Sequence, residues 1–184
     1  MGLFGLFGNK KKAESEEAKR ELLELQKLVL VDSPDTLIMS EKELKAIAIK
    51  QAQRDIEIGQ DCIRIVCNTK DPDTFFSRYD LLIESSDHMR LFEKHLNFSA
   101  SPSLGYSEVW ANQQKAIHEF LIRYFSDVFD QAAKLKTIKG KLNKYQKFYD
   151  SLQPYYDKMD AENIDYVETK YRAYTRSLEK EKQA

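Results

Sequence analysis

Only six glycines and four prolines punctuate a chain of 184 residues. With so few residues able to turn or interrupt the backbone, long helices with short connections are the architecture left open. Between the breaks the chain is rich in Lys, Glu, Leu, Ala and Gln, which are good helix formers. Its apolar residues recur at i, i+3 and i+4 rather than alternating. The fold class expected is all-α: one irregular bundle of five or six long helices. At 42% hydrophobic the chain can bury a core, and its length suits one domain better than two. The expected division is a flexible apolar and basic tail over residues 1–12 and a single helical domain over 13–184.

Local signals place the helices. Ala13 to Leu30 reads as a first helix with Leu22, Leu25 and Val29 on one side, stopped before Pro34. Ser40 with Glu43 three residues on is a capping-box signature. It opens a helix whose seam is Ile49, Ala52, Ile56, Gly59, Ile63 and Val66, widened by Ile58, Cys62 and Ile65. Small residues at Ala52 and Gly59 would let a neighbour approach closely, so this helix is expected at the centre of the bundle. Asp71-Pro72 supplies an N-cap and a first-turn proline. The helix it opens carries Phe75, Phe76, Tyr79, Leu82 and Ile83, with a kink expected near Ser85-Ser86-Asp87 and an end at Leu96.

Residues 99–105 read as a loop, and Ser107 as the cap of a fourth helix bearing Trp110, Ile117, Phe120, Leu121, Tyr124, Phe125, Val128, Ala132 and Leu135. The stripe continues in phase through Ile138, Leu142, Tyr145, Tyr149 and Leu152. One continuous helix is the favoured reading; the alternative is a stop at Gly140 with Asn143 and Gln146 capping the next helix. Pro154 marks a turn, and Asp160 caps a last helix with Ile164, Val167, Tyr171, Tyr174 and Leu178 on one side.

Chemistry-bearing residues are sparse. His88 and His95 lie seven residues apart, or ~10.5 Å along a helix, too far to share a metal, and Glu84 stands four before His88. Cys62 and Cys67, five apart on one helix, are separated by at least ~7.5 Å, beyond the usual disulfide span. They read as free thiols of a reducing compartment and as small buried hydrophobes. No nucleophile elbow and no glycine-rich phosphate loop occurs. The acidic stretch from Asp157 to Asp165 lacks the glycine that an EF-hand loop needs at its sixth position. The sequence thus implies no enzyme, no catalytic residue, no metal, no cofactor and no small-molecule substrate.

Two segments carry the candidate contacts. The tail holds Leu3, Phe4, Leu6 and Phe7, followed by Lys10, Lys11 and Lys12, the pairing of apolar and basic residues that favours a membrane surface or a docking partner. Its Gly2 start departs from the myristoylation pattern, which expects Ser or Thr where Leu6 stands. The second segment is the run Lys134, Lys136, Lys139, Lys141, Lys144 and Lys147, interleaved with Tyr145, Phe148 and Tyr149. Basic residues among aromatics can follow a nucleic-acid strand. The favoured reading is internal: a turn at Pro154 lays Asp157, Asp160, Glu162, Asp165 and Glu168 against the lysines.

The stretches Phe75-Phe-Ser-Arg-Tyr-Asp-Leu-Leu-Ile83 and Leu135-Lys-Thr-Ile-Lys-Gly-Lys-Leu-Asn143, and the opening Met-Gly-Leu-Phe, resemble segments of small uncharacterised helical proteins of bacteria and their prophages. The resemblance implies a bacterial or phage-encoded cytoplasmic protein and carries no activity or site residue. The function expected is a non-catalytic helical interaction or scaffolding module with an unknown protein partner. Behind it stands a peripheral protein held to the cytoplasmic face of a membrane by residues 1–12. A nucleic-acid binder acting through Lys136, Lys139, Lys141, Lys144 and Lys147 comes third.

Overall fold

The computed structural model describes residues 4–30, 32–96 and 112–183, with side chains from residue 16 onward. Among these the backbone forms α1 (Phe4–Val29), α2 (Glu41–Asn68), α3 (Pro72–Leu96), α4 (Gln113–Ala133), α5 (Ile138–Leu152) and α6 (Ala161–Gln183), with a 3-10 segment over Gln153–Lys158. No strand occurs among the described residues, and the all-α expectation holds. The expected loop over 99–105, the Ser107 cap and Trp110 lie outside the described residues.

The helix starts follow their capping chemistry. At α2 the Glu43 amide donates to Ser40 Oγ at 3.4 Å and the Ser40 amide to Glu43 Oε2 at 3.0 Å, closing the box. At α3 the Thr74 amide donates to Asp71 Oδ2 at 2.8 Å, and at α6 the Asn163 amide donates to Asp160 Oδ1 at 2.9 Å. Each bond satisfies an amide that the helix itself leaves unpaired. α1 begins at Phe4, ahead of the expected Ala13. α3 runs as one helix through Ser85 and Ser86, both buried.

Two expectations are corrected. The stripe shared by α4 and α5 does not make one helix, and the break is not at Gly140. It falls between Ala133 and Ile138, where Thr137 turns extended (φ −109°, ψ 140°) and its hydroxyl accepts from the Gly140 amide at 3.1 Å. Gly140 therefore lies inside the first turn of α5. A Cβ there would stand 3.0 Å from that hydroxyl, so the missing side chain leaves room for the cap. Continuous periodicity cannot reveal such a break, because both helices bury the same stripe after the chain has reversed. Leu135, in the turn, drops out of the core and is 39% exposed.

The centre of the bundle is α3 rather than α2. Its N-terminal half sends Phe75, Phe76 and Tyr79 into a core with Ile117, Phe120 and Phe125 of α4, Tyr145 and Phe148 of α5, and Val167 of α6. Its C-terminal half sends Leu82, Met89 and Phe92 into a second core with Leu25 of α1 and Leu44, Ala48, Ala52 and Cys62 of α2. α2 packs with its small positions, Ala48, Ala52 and Gly59, buried, whereas Ile49, expected in its seam, is 46% exposed. Phe75 stacks on Phe120 with centroids 4.0 Å apart, and Phe76 on Tyr155 at 4.2 Å, which anchors the N-terminal half of α3 on α4 and the 3-10 segment.

Candidate functional site

The histidines are dispersed, each joining a different pair of helices. His88 Nδ1 faces Asp55 Oδ2 of α2 at 3.7 Å instead of pairing with Glu84. His95 Nε2 faces Glu24 Oε2 of α1 at 3.8 Å, and His118 Nδ1 lies 2.9 Å from Asn163 Oδ1 of α6. Burial pushes the Asp55 carboxyl up, against the opposing pull of His88 and Arg54. The cysteines divide: Cys62 is buried and Cys67 exposed, correcting the expectation that both are core residues. Burial raises the Cys62 thiol despite the Arg78 guanidinium beside it, which keeps it protonated and a poor nucleophile. Among the described residues no three of His, Cys, Asp or Glu stand close enough to hold a metal ion.

A cleft of about 570 Å³ opens between α3, the start of α4 and the 3-10 segment, lined by Tyr79, Asp80, Glu84, His88, Gln114 and Lys158 among others. Its polar groups mostly serve the fold. Lys158 pairs with Asp80, and Gln114 Nε2 donates to the Lys158 carbonyl at 3.0 Å while its Oε1 accepts from the Asp160 amide. His88 is turned toward Asp55. These bonds clamp α4 and the 3-10 segment onto α3.

The lysine run behaves differently. α5 and α6 do pack antiparallel after Pro154, but their seam is aromatic. Tyr145 stacks on Tyr174 with centroids 5.3 Å apart, Tyr149 on Tyr171 at 4.5 Å, and the Tyr171 hydroxyl donates to Gln146 Oε1 at 2.5 Å. The expected match between lysines and acids is not made. Among the described residues no carboxylate comes within 4.0 Å of Lys134, Lys136, Lys139, Lys141, Lys144 or Lys147. Glu168 pairs with Arg172 on its own helix, Asp160 is taken up in capping, and Asp157, Glu162 and Asp165 face solvent. Once the tyrosines occupy the seam, both charged faces become the outer faces of their helices. An ion pair drawn into the seam would have been desolvated at a cost of several kcal/mol per ion, by order of magnitude.

Beside these lysines lies a smaller notch of about 220 Å³, walled by Phe129 and Ala132 of α4, Lys141 and Tyr145 of α5, and Tyr174 and Leu178 of α6. Phe129 is 41% exposed at its mouth. Neither residue of this exposed pair, Phe129 and Leu135, was singled out by sequence reasoning as a contact. Leu135 sat in the core stripe, and Phe129 falls one position outside it. Leu3 and the side chains of Phe4, Leu6, Phe7, Lys10, Lys11 and Lys12 lie outside the described residues. No described helix is long and apolar enough to cross a membrane.

No family model, curated protein or solved structure matches this chain. Its surface chemistry therefore carries the functional reading.

Proposed function

We propose that this protein is a non-catalytic helical interaction module that docks a protein partner at the elbow between α4 and α5. One observation carries the reading: exposed Phe129 lines an apolar notch, exposed Leu135 follows in the next turn of chain, and the neighbouring lysines have no carboxylate within 4.0 Å among the described residues. Exposed apolar groups beside unneutralised charge are what a docking surface offers, since burying the first and pairing the second both favour association. The histidines and cysteines, spread over separate helix contacts, add no constellation that would favour a catalytic reading.

A photo-crosslinking residue at position 135 tests this in the native host. A discrete crosslinked protein is expected, and Phe129→Asp is expected to remove it while the chain still melts cooperatively. Deleting residues 1–12 should leave the crosslink in place. If the deletion removes it, or moves the protein off anionic vesicles while Phe129→Asp changes nothing, the tail is the contact and the membrane or tail-docking reading takes over.

A further inference from the structure

The notch and its lysines also define the chemistry of what fits them. Resting on the docking reading above, we infer that the partner presents an acidic segment in which carboxylates flank an aromatic or leucine side chain. That side chain enters the notch between α4, α5 and α6.

Size excludes most small ligands. At about 220 Å³ the notch falls below the roughly 300–1,000 Å³ typical of small-molecule sites. A side-chain anchor fits that scale better than a cofactor. The walls are apolar: Phe129, Tyr145, Tyr174 and Leu178 line it, and Phe129 meets Tyr174 edge-on with centroids 5.4 Å apart. An entering ring can extend this edge-to-face packing, and buried aromatic anchors carry much of the energy in protein interfaces.

Charge then selects the flanking residues. Lys141 is part of the wall, Lys144 follows one helical turn later, and Lys134 follows Ala133 of the α4 end. On α6, Lys170 holds its ammonium over the rings of Phe125 and Tyr166 at 5.5 and 5.4 Å. Among the described residues none of these four lysines has a carboxylate within 4.0 Å. Lys141 and Lys144 are half-buried, as expected when a lysine stem packs along the surface and leaves its ammonium in water. Carboxylates beside the anchor would meet Lys141 at the wall and the lysines near it, and steer the approach.

Nucleic acid fits less well. Bases need open aromatic faces, but Tyr145 is stacked on Tyr174 and Tyr149 on Tyr171. A flat anionic bilayer would reach the lysines and leave the notch unfilled.

The test is selection from a random-peptide phage library against the full chain, followed by affinity measurements on synthetic copies of the winners. Enriched peptides should carry Asp or Glu around a Phe, Trp or Leu. Their binding should weaken steeply with salt, fall by about tenfold with Lys141→Glu and Lys144→Glu together, and fall by at least about tenfold with Phe129→Asp. Leu135→Asp is a second variant in the turn, where the side chain is 39% exposed, and a cooperative melt of each variant confirms folding. Enriched peptides that are neutral or basic yet still require Phe129 would sink the acidic-partner class and leave the docking reading standing. No enrichment, or peptides indifferent to Phe129→Asp, would sink both. Tighter binding of a single-stranded oligonucleotide or of phosphatidylserine vesicles through Lys141 and Lys144 would overturn the protein partner.

Discussion

Asn163 of α6 is buried and meets His118 of α4 through one polar contact, Asn163 Oδ1 to His118 Nδ1 at 2.9 Å. The Asn163 amide nitrogen also donates to the backbone and side-chain oxygens of Gln114, at 3.1 and 3.0 Å. One buried side chain thus ties α6 to the first turns of α4. Replacing it with Leu keeps the branched outline but removes all three of these side-chain bonds and leaves the imidazole facing a methyl group. Asn163→Leu is expected to cost about 1–3 kcal/mol in urea unfolding. A neutral result would mean that water reaches these groups and the junction is not dry.

Gln26 does similar work between α1 and α2. It is fully buried, and its Nε2 lies 2.8 Å from Ser33 Oγ and 2.9 Å from the Thr36 carbonyl, while the Ile38 amide donates to its Oε1 at 2.9 Å. The turn that passes through Asp32, with its left-handed φ of 57°, is held by this side chain. Gln26→Leu should destabilise by about 1–3 kcal/mol. Amide exchange at Ile38 should also accelerate, and protection retained there would show that another acceptor replaces Gln26.

Tyr79 presents the opposite case. Its ring stacks on Phe75 with centroids 5.5 Å apart, while its buried hydroxyl has no hydrogen-bond partner among the described residues. Burial, with Asp80 nearby, drives its phenol well above the usual range. Removing an unsatisfied buried hydroxyl while keeping the ring should help the fold. Tyr79→Phe is expected to raise stability by about 1 kcal/mol in thermal unfolding. A fall would reveal a bonded hydroxyl.

Tyr155 links stability to alkaline pH. Its hydroxyl donates to Asp73 Oδ1 at 2.5 Å, and that bond, with burial and the charges of Asp73, Asp71 and Asp80, pushes its phenol up to about 12. An unfolded tyrosine ionises near pH 10, by the ordinary value of about 10. Between these values the unfolded chain loses the proton first. The contribution of Tyr155 is therefore complete below about pH 10 and lost as pH rises through about 12. Tyr155→Phe should lessen the fall in stability across that window. Asp73→Asn should bring one late phenolate absorbance back toward pH 10, and an unchanged titration curve would exclude the Asp73 bond as the cause.

Ser40 with Glu43, Asp71 with Pro72, and Asp160 were readable because a cap is completed within three residues of the chain. The core faces of α3, α4 and α6 were readable for a related reason: Phe75, Phe120 and Val167 repeat with the helical period whatever packs on them. Gln26 and Asn163 were missed because a buried amide looks in sequence like any surface polar residue. Its partners, seven to forty-nine positions away, become visible only in space.

Sequence by itself thus determined the fold class and the starts of α2, α3 and α6, since caps, prolines and periodicity act over a turn or two of backbone. Tertiary structure decided the break at Thr137, the central place of α3 and the pairing of α5 with α6. The break shows why. Nothing in Lys134-Leu-Lys-Thr137 forbids a helix, and the chain reverses there because Tyr145 and Phe148 gain more contact folded back on Phe125 than extended into solvent. The same reversal brought tyrosines rather than charges together across α5 and α6. Burying aromatic rings releases ordered water, whereas burying lysine against aspartate would have stripped both of theirs. That preference, invisible along the chain, left the lysines without a carboxylate within 4.0 Å among the described residues.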